Sequence, residues 1–321
     1  MRVSFAGGGT DLPAFYEKGH GAVLSTAIDK YIWVTVKRHS EVFDEPVRIN
    51  YSQTEQVDTI DEVRNDITRE CLRLLDIEPP IYISTVGDLP ASTGLGSSSA
   101  FAVGLLNALH LYRGDRVSAG QLAEEACHIE IDVLGQPIGR QDQYAAAFGG
   151  LNLFTFKPGG TVTVEPQRVP ARVMMELFES IMLFWTGHQR DSSSVLTEQR
   201  ANTDRHLDDL TSIRDQVYEL QDVLRGHPSA RDVGALIHRG WQLKRGLATS
   251  VSNARIDGWY ERALAGGALG GKIAGAGNGG FLLLVVEPGS QASVRHQLSE
   301  LMEVAVRPEV HGSQIMLPLM D

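Results

Sequence analysis

The chain has 321 residues, of which 42% are hydrophobic and 21% charged, and its net charge is −11. This composition is typical of a globular protein long enough to bury a core without disulfides or a structural metal, and it excludes wholesale disorder. An acidic chain without a basic run is poorly suited to bind nucleic acid or an anionic membrane, so any phosphate binding must be local.

The sequence also bears on the cellular compartment of the protein. It begins without a signal peptide, and its longest apolar run, Phe281–Val286, is too short to span a membrane and is predicted to be a strand. Cys71 and Cys127 are too few for a disulfide framework or a zinc site, and we expect both to be buried hydrophobic residues. We therefore expect a cytoplasmic protein with no membrane partner.

The first half of the chain reads as an α+β region. Hydrophobic patterning and turn residues predict, in chain order, strands at Val3–Ala6, Tyr31–Val36 and Pro46–Tyr51, a helix at Asp61–Asp76, a strand at Ile81–Val86, helices at Ala100–Leu111, Ser118–Leu134 and Gln141–Phe148, and strands at Leu151–Phe156 and Thr161–Pro166. Ser118 is the predicted N-cap of its helix.

The character of the chain changes between Pro166 and Arg172, so we predict two domains, residues 1–170 and 171–321. The second half predicts a strand at Ile181–Thr186, helices from Asp191 to about Leu224, at Ala230–Val251 and at Ile256–Ala265, a glycine-rich loop at Gly266–Gly280, a strand at Phe281–Glu287, a helix at Gln291–Met302 and a last strand at Gln314–Leu319.

The glycine- and serine-rich loop Pro90–Ala100 is the most informative segment, because it lies between a predicted strand and a predicted helix. The first turn of a helix exposes backbone N–H groups and partial positive charge, and glycines let a ligand approach the backbone closely. The alternative is a capped helix after a flexible turn. Three consecutive serines exceed what capping needs, which favours binding of a nucleotide's phosphates.

The third glycine loop in chain order, Gly275–Phe281, carries glycines at the spacing of a dinucleotide fingerprint, but we expect a helix before it and a strand after it, the reverse of the order that the fingerprint requires. Gly266–Lys272 fits the start of a P-loop, but Ile273 stands where Ser or Thr must bind Mg²⁺. The first glycine loop in chain order, Arg2–Asp11, suits a polyol bound by Asp11 or a tight turn capped by it; Pro90–Ala100 is the second.

These three loops, in this order and spacing, resemble the three motifs of the GHMP kinases, a family that includes galactokinase, homoserine kinase, mevalonate kinase and phosphomevalonate kinase. The segment Pro90–Ala100 is the specific signal. Gly7-Gly-Gly-Thr-Asp-Leu-Pro13 resembles the branch of D-glycero-D-manno-heptose 7-phosphate kinases and related sugar 1-kinases. That branch is also similar at Gln141–Tyr144, Phe148–Gly150, Thr186-Gly187 with Arg190, and Gly271-Lys272.

The resemblance implies a two-domain α+β fold, with an N-terminal domain like ribosomal protein S5, a ferredoxin-like C-terminal domain and the active site between them. It implies that ATP is bound by Pro90, Ser92, Gly94, Leu95, Gly96, Ser97, Ser98 and Ser99. It implies that the sugar is bound by Gly7, Gly8, Gly9, Thr10, Asp11, Arg190, Gly275, Ala276 and Gly277.

The resemblance also assigns the reaction chemistry. Ser98 and Glu130 would supply oxygen ligands to Mg²⁺, and Asp142 would accept the proton of the attacking hydroxyl. Arg2 would pair with Asp142 and favour its charged form. From the residues alone, the favoured interpretations are a solvent-facing helix residue for Glu130 and a helix-start cap for Asp142.

A phosphate at the far end of the acceptor would need a cation. Arg140, Arg190, Lys244 and Lys272 are the candidates, and each of them taken singly is interpreted more simply as a solvated surface charge. Arg190 fits best, because it closes a strand-to-helix loop. His20, His110, His128 and His188 lack metal-ligand spacing and are interpreted as structural.

The expected activity is ATP-dependent phosphorylation of the anomeric hydroxyl of D-glycero-D-manno-heptose 7-phosphate, giving the 1,7-bisphosphate. The alternatives are a 1-kinase for fucose or for an octose 8-phosphate of a secondary-metabolite pathway, or a sugar sensor without catalysis. The expected binding partner is a small-molecule sugar or sugar phosphate. The oligomeric state allowed for is a homodimer.

Overall fold

The computed structural model describes residues 1–187, 192–226 and 228–316. In these ranges the strands are β1 (Arg2–Ala6), β2 (Gly21–Ile28), β3 (Ile32–Arg38), β4 (Val47–Asn50), β5 (Thr54–Val57), β6 (Ile81–Gly87), β7 (Leu151–Phe156), β8 (Val162–Pro166), β9 (Ile181–Trp185), β10 (Ala268–Ile273), β11 (Phe281–Val286), β12 (Met302–Glu303) and β13 (Pro308–Glu309).

The helices of the described ranges are α1 (Pro13–Tyr16), α2 (Asp66–Leu74), α3 (Ser97–Arg113), α4 (Ala119–Cys127), α5 (Gln141–Phe148), α6 (Ala171–Glu179), α7 (Ser192–Asn202), α8 (Leu207–Arg225), α9 (Ala230–Gly246), α10 (Ala254–Ala265) and α11 (Gln291–Gln297). A π-helical segment, His128–Val133, directly continues α4. No helix in the described part of the chain is long and apolar enough to cross a membrane.

The first half forms two sheets. One runs β1-β2-β7-β8, with β13 also pairing to β2, and the other runs β3-β6-β4-β5. Every residue of β2 is buried, because the strand has neighbours on both sides and is covered on both faces. The pairing of β1 with β2 shifts register between Ser4 and Ala6, which is a β-bulge. Bulges redirect side chains and backbone, and this one leads straight into the first glycine loop.

The second half forms the ferredoxin-like arrangement that the resemblance implies. Its sheet runs β10-β11-β9-β12, and all of its pairs are antiparallel. Helices α7 to α10 connect β9 to β10, and α11 connects β11 to β12. Helix α8 packs through Leu210, Ile213, Val217, Leu220 and Leu224, which are buried and recur every three or four residues, as expected of an amphipathic helix.

Three buried hydrophobic clusters make up most of the core. One lies among α2 to α5 and the sheet that contains β3 and β6, and another lies between the sheet of the second half and α9 to α11. The third joins the two halves. The joining cluster combines Met1, Phe5 and Leu24 with Val217 and Phe281. The carboxyl-terminal part returns to the first half, where the Asn107 side chain donates to Ser313 Oγ at 2.9 Å. The division at residue 170 stays a prediction.

Most predicted elements are confirmed. Ser118 caps α4 by accepting a hydrogen bond from Gln121 N at 3.1 Å, and Cys71 and Cys127 are both buried. The predicted strand at Gln314–Leu319 is wrong for residues 314–316, and the rest of it lies outside the described residues. The expectation that a helix directly precedes Gly275 is also wrong, because β10 lies there. Strand β11 still follows the loop, so the dinucleotide fingerprint remains excluded.

Candidate active site

A solvent-open cleft with a cavity volume of about 110 Å³ lies where the three glycine loops meet. Predicted site residues line it from all three loops and from α5, which carries Asp142: Arg2, Gly9, Asp11, Ser92, Gly94, Asp142, Gly275, Ala276 and Gly277. Residues that the sequence did not single out also line it: Leu12, Ile138, Gly139, Gln141, Leu196, Gln199, Ala274 and Gly279.

Arg2 and Asp142 form an ion pair in this cleft. Arg2 Nε donates to Asp142 Oδ1 at 2.7 Å, and Nη2 lies 2.6 Å from the same oxygen. Arg2 Nη1 donates to Gly94 O at 2.7 Å, so the buried guanidinium also anchors the serine-rich loop. Arg2 therefore holds one carboxylate oxygen of Asp142, and the Asp142 side chain lines the cleft.

The serine-rich loop leads into α3 in the way that phosphate binding requires. The N-cap is Gly96, at φ +73°, and no side chain caps the helix; Ser97, Ser98 and Ser99 form its first turn. The backbone donors of that turn are thus free of side-chain caps, which removes the capped-helix alternative. Leu95 points into the core instead, where it is fully buried.

Glu130 is buried beneath this turn, so the solvent-facing alternative is wrong. Ser98 Oγ donates to Glu130 Oε1 at 2.7 Å, and Gln143 Nε2 donates to Oε2 at 2.7 Å. Burial raises the pKa of Glu130, against the effect of these hydrogen bonds. The carboxylate lies on the π-helical segment after α4, a distortion often found at functional sites.

The first glycine loop divides into a structural and a cleft-facing part. Thr10 Oγ1 bonds the main chain of Gly7 and Ala22 at 2.8 Å each, so its hydroxyl stabilises the turn. Asp11 lines the cleft, where Gly9 N donates to Oδ1 at 3.1 Å and Gln141 Nε2 donates to Oδ2 at 2.9 Å. Burial, followed by the charge of Asp142, raises the pKa of Asp11.

The second and third glycine loops touch through their backbones. A methyl group built on Gly275 would lie 2.6 Å from Gly94 Cα, and one built on Gly280 would lie 2.3 Å from Thr93 O. Both glycines also have positive φ, at +73° and +83°. Close approach and backbone conformation therefore both require glycine at these positions.

The two halves of the chain match two family profiles. Residues 60–150 match the profile described as GHMP kinases N terminal domain, and residues 220–304 match GHMP kinases C terminal, which together cover more than half of the chain. The chain belongs to the GHMP kinases. Members of this family are ATP-dependent kinases, and this enzyme is a phosphotransferase with an alcohol group as acceptor.

Individual relatives agree with this family. This GHMP kinase is 29% identical over 307 residues to D-glycero-alpha-D-manno-heptose 7-phosphate kinase of Campylobacter jejuni, which covers 90% of this chain and 88% of that protein. It is 23% identical over 338 residues to L-fucokinase/L-fucose-1-P guanylyltransferase of Bacteroides fragilis, covering 94% of this chain and 35% of the relative.

A solved structure shows the same fold. A D-glycero-D-manno-heptose 1-phosphate kinase from Bacteroides thetaiotaomicron superposes with a TM-score of 0.79 at 24% identity, covering 97% of this chain and 95% of that one. The two-domain GHMP kinase fold expected from the sequence is therefore confirmed.

Two of the cation candidates in this GHMP kinase are buried, so the interpretation of them as solvated surface charges is wrong. Lys244 lines the cleft and donates to Gly275 O at 2.6 Å, and burial lowers its pKa to about 8. Lys272 lies behind it, 3.4 Å from Ser4 Oγ, and burial together with Lys244 and Arg2 lowers its pKa well below the usual range. Arg140 is engaged by Glu124 and Gly160 O, and Arg190 lies outside the described residues, as does His188.

Several polar residues in or beside the kinase cleft were given no role from the sequence. Gln141 and Gln143 belong to the Gln-Asp-Gln-Tyr segment, in which only Asp142 was assigned a role, and their side chains donate hydrogen bonds to Asp11 and Glu130. Gln199 lies on a polar helix without a motif, so no pattern marked it. The described residues hold no group of three or more His, Cys, Asp and Glu side chains that could bind a metal ion.

Proposed function

We propose that this GHMP kinase phosphorylates the anomeric hydroxyl of D-glycero-D-manno-heptose 7-phosphate and produces the 1,7-bisphosphate. The observation that carries this proposal is the similarity, along nearly the whole chain, to the heptose 7-phosphate kinase of Campylobacter jejuni. The geometry of the cleft supports it, because the proposed base Asp142, the polar side chain of Asp11 and the serine-rich loop at Ser92 and Gly94 line one space.

Asp142 is the proposed general base. Its Oδ2 accepts the proton of the anomeric hydroxyl while the hydroxyl oxygen forms a bond to the γ-phosphorus of ATP, and the bond from that phosphorus to the bridging oxygen breaks to release ADP. An anomeric hydroxyl is more acidic than a simple alcohol, so a carboxylate suffices. Arg2 holds Oδ1 and so orients the base towards the acceptor.

Ser97, Ser98 and Ser99 are the proposed phosphate-binding turn, and Ser98 with Glu130 are the proposed ligands of Mg²⁺. A buried carboxylate and a hydroxyl, 2.7 Å apart, form the hard oxygen set that this ion prefers, with water and phosphate oxygens as its remaining ligands. When bound, Mg²⁺ supplies charge neutralisation at the phosphates.

The phosphate of the acceptor requires positive charge near the cleft. Arg190 stays our prediction for that contact. Lys244 supports the same requirement from the described residues, because it lines the cleft and its ammonium group is buried beside a backbone carbonyl. A buried cation without a carboxylate partner is stabilised when an anion binds next to it.

A kinase screen tests the proposal. The enzyme is incubated with ATP and Mg²⁺ and with a panel of sugars and sugar phosphates, and ADP release is measured. Phosphorus and proton NMR then locate the new phosphate. The expected result is the largest kcat/KM with the heptose 7-phosphate and a phosphate on C1. Faster turnover with an unphosphorylated sugar would contradict the proposed substrate but would still support a sugar kinase activity.

Fucose is the second candidate acceptor, because the chain is also similar to a bifunctional L-fucokinase over 94% of its length. The same panel includes L-fucose. A preference for L-fucose over the heptose phosphate assigns that substrate instead. A variant of Arg190 separates the two cases further: Arg190→Ala should raise KM for a phosphorylated acceptor and leave KM for ATP and for an unphosphorylated sugar unchanged.

A further inference from the structure

Gln199 is the most deeply buried polar side chain of the cleft wall that the proposed chemistry leaves without a role. It lies on α7 and is 2% exposed. A methyl group built on Gly9 would lie 2.2 Å from Gln199 Nε2, so the amide packs directly against the first glycine loop. Leu196, one turn earlier on α7, lines the same cleft. This wall belongs to the second half of the chain and faces loops of the first half.

The two polar atoms of the Gln199 amide are buried without a partner in the described part of the chain. Within residues 1–187, 192–226 and 228–316, neither Nε2 nor Oε1 has a hydrogen-bond partner. Most buried side-chain amides in folded proteins are bonded, because a buried donor or acceptor without a partner costs free energy. The amide of Gln221, which is 6% exposed, shows the usual case: its Nε2 donates to Glu165 Oε1 at 3.0 Å and to Gln167 Oε1 at 2.9 Å.

The orientation of Gln199 is held by its neighbour along the helix. Glu198 Oε1 accepts hydrogen bonds from Thr249 N and Thr249 Oγ1 at 2.8 Å each, and its other oxygen accepts one from Ser250 Oγ. These bonds attach α7 to the chain that follows α9. They fix the rotation of α7, and Gln199, the next residue, lines the cleft.

The chemistry of an amide selects its partner. A side-chain amide offers donors on nitrogen and an acceptor on oxygen, and a hydroxyl group likewise donates and accepts. A phosphate or carboxylate would satisfy only the amide nitrogen, and an ammonium group only the oxygen. Asp11, which lies across Gly9 from this amide, is a hydrogen-bond acceptor when ionised. The two side chains together match adjacent hydroxyl groups.

We propose that Gln199 binds a hydroxyl group of the acceptor and sets the enzyme's choice among acceptors that differ at that hydroxyl. This assignment rests on the proposed function, because it requires a polyhydroxylated acceptor in the cleft. Gln199 is a specificity-determining residue in this account. It lies outside the base, the phosphate-binding turn and the metal ligands.

The test compares Gln199→Met with the matched control Gln221→Met, using the acceptor that the wild-type enzyme phosphorylates fastest and its monodeoxy analogues. Met keeps the size of Gln and removes both polar atoms. We expect Gln199→Met to raise KM for the acceptor on the order of tenfold, with kcat and KM for ATP within about twofold of wild type. One monodeoxy analogue, which lacks the hydroxyl that Gln199 binds, should have a higher KM than the full acceptor in the wild-type enzyme. In Gln199→Met the two KM values should be equal.

Stability measurements separate binding from a structural role. The thermal midpoint of Gln199→Met without acceptor should equal or exceed that of the wild type, because an unpaired buried amide has been removed. Gln221→Met should lower the midpoint and leave KM unchanged, because its amide is bonded within the protein.

Two results would overturn the assignment. One is an unchanged KM in Gln199→Met. The other is a lowered midpoint together with an equal loss for the acceptor and for every deoxy analogue. The proposed function is decided separately by the wild-type enzyme, since failure to phosphorylate any sugar in the panel overturns it whatever the variant does.

Discussion

At the scale of single residues, the arrangement of Arg2 around Asp142 makes the general base testable. Asp142→Asn keeps the shape of the side chain and removes its capacity to accept a proton. We expect kcat to fall by about 10²- to 10⁴-fold, the usual effect of losing a general base, while KM for ATP stays within about twofold. Steady-state kinetics with both substrates measure this. Asp132→Asn, at an exposed neighbouring carboxylate, is the control and should retain full turnover.

Glu130 gives a prediction about pH, because burial raises its pKa. A proton competes with Mg²⁺ for this carboxylate at a higher pH than at an exposed glutamate. The Mg²⁺ concentration for half-maximal rate should therefore increase as pH falls through the raised pKa. Glu130→Gln should need more Mg²⁺ at every pH and lose that pH dependence. A Mg²⁺ titration between pH 5 and 9 measures both, and an unchanged titration would show that Glu130 binds no metal.

Lys272 gives a prediction about stability. Its folded-state pKa is lowered by burial, Lys244 and Arg2, and between that pKa and the ordinary lysine value the unfolded chain binds a proton that the folded protein lacks. The free energy of unfolding therefore rises with pH across this window. Lys272→Met should remove that slope and raise the thermal midpoint at pH 7 by on the order of 2 °C.

The gain from Lys272→Met should shrink at pH 10, where less proton binding by the unfolded chain opposes folding of the wild type. Thermal unfolding at pH 7 and pH 10 measures this difference. The exposed Lys157→Met is the control and should leave the midpoint unchanged at both pH values. A midpoint that falls at pH 7 in Lys272→Met would mean that the ammonium group stabilises the free enzyme.

At the scale of elements, contact between the two glycine loops predicts unequal effects for two similar substitutions. Gly159 and Gly275 have nearly the same φ, +78° and +73°, but a methyl group on Gly159 meets open space and one on Gly275 meets Gly94. Gly159→Ala should cost about 1–2 kcal/mol, the cost of a left-handed backbone conformation, with normal kinetics. Gly275→Ala should cost more and should raise KM for ATP. Urea unfolding and steady-state kinetics compare the two variants, and equal effects would contradict the loop contact.

Elements with strong local patterns could be predicted from the sequence, and those defined by distant packing could not. The capped helix after Ser118 was predictable because the cap is local. Strand β10 escaped prediction because it contains Gly270 and Gly271, which weaken a strand pattern. Close packing against a residue distant in sequence requires glycine at position 270, since a methyl group on Gly270 would lie 2.0 Å from the carbonyl oxygen of Gly234 on α9.

The candidate site shows the same division. The loops and Asp142 carried motifs that could be read from the sequence, and the burial of Glu130, Lys244 and Lys272 could not. The local sequence around a charged residue does not show whether its side chain lies on the surface or in a cleft. Only the tertiary fold removes it from water, and only then does its pKa shift.

At the scale of the whole molecule, the shared cluster of Met1, Phe5 and Leu24 with Val217 and Phe281 predicts cooperative unfolding. A fragment of residues 1–170 would expose the first three side chains to water, so we expect it to be unfolded or aggregated when produced alone. Calorimetry of the full chain should show a single transition, with equal calorimetric and van't Hoff enthalpies. Two separate transitions, or a folded fragment, would instead support independent domains.

The two sides of the acceptor cleft differ in how freely evolution can alter them. On the loop side, Gly275 contributes its backbone and is fixed by contact with Gly94 of the serine-rich loop, so with the proposed roles a mutation there should disturb both substrates together. On the α7 side the wall includes Leu196 and Gln199. If Gln199 has the proposed role, a lineage that acquires a new sugar has its accessible route through α7, where one codon should change acceptor recognition and preserve phosphoryl transfer.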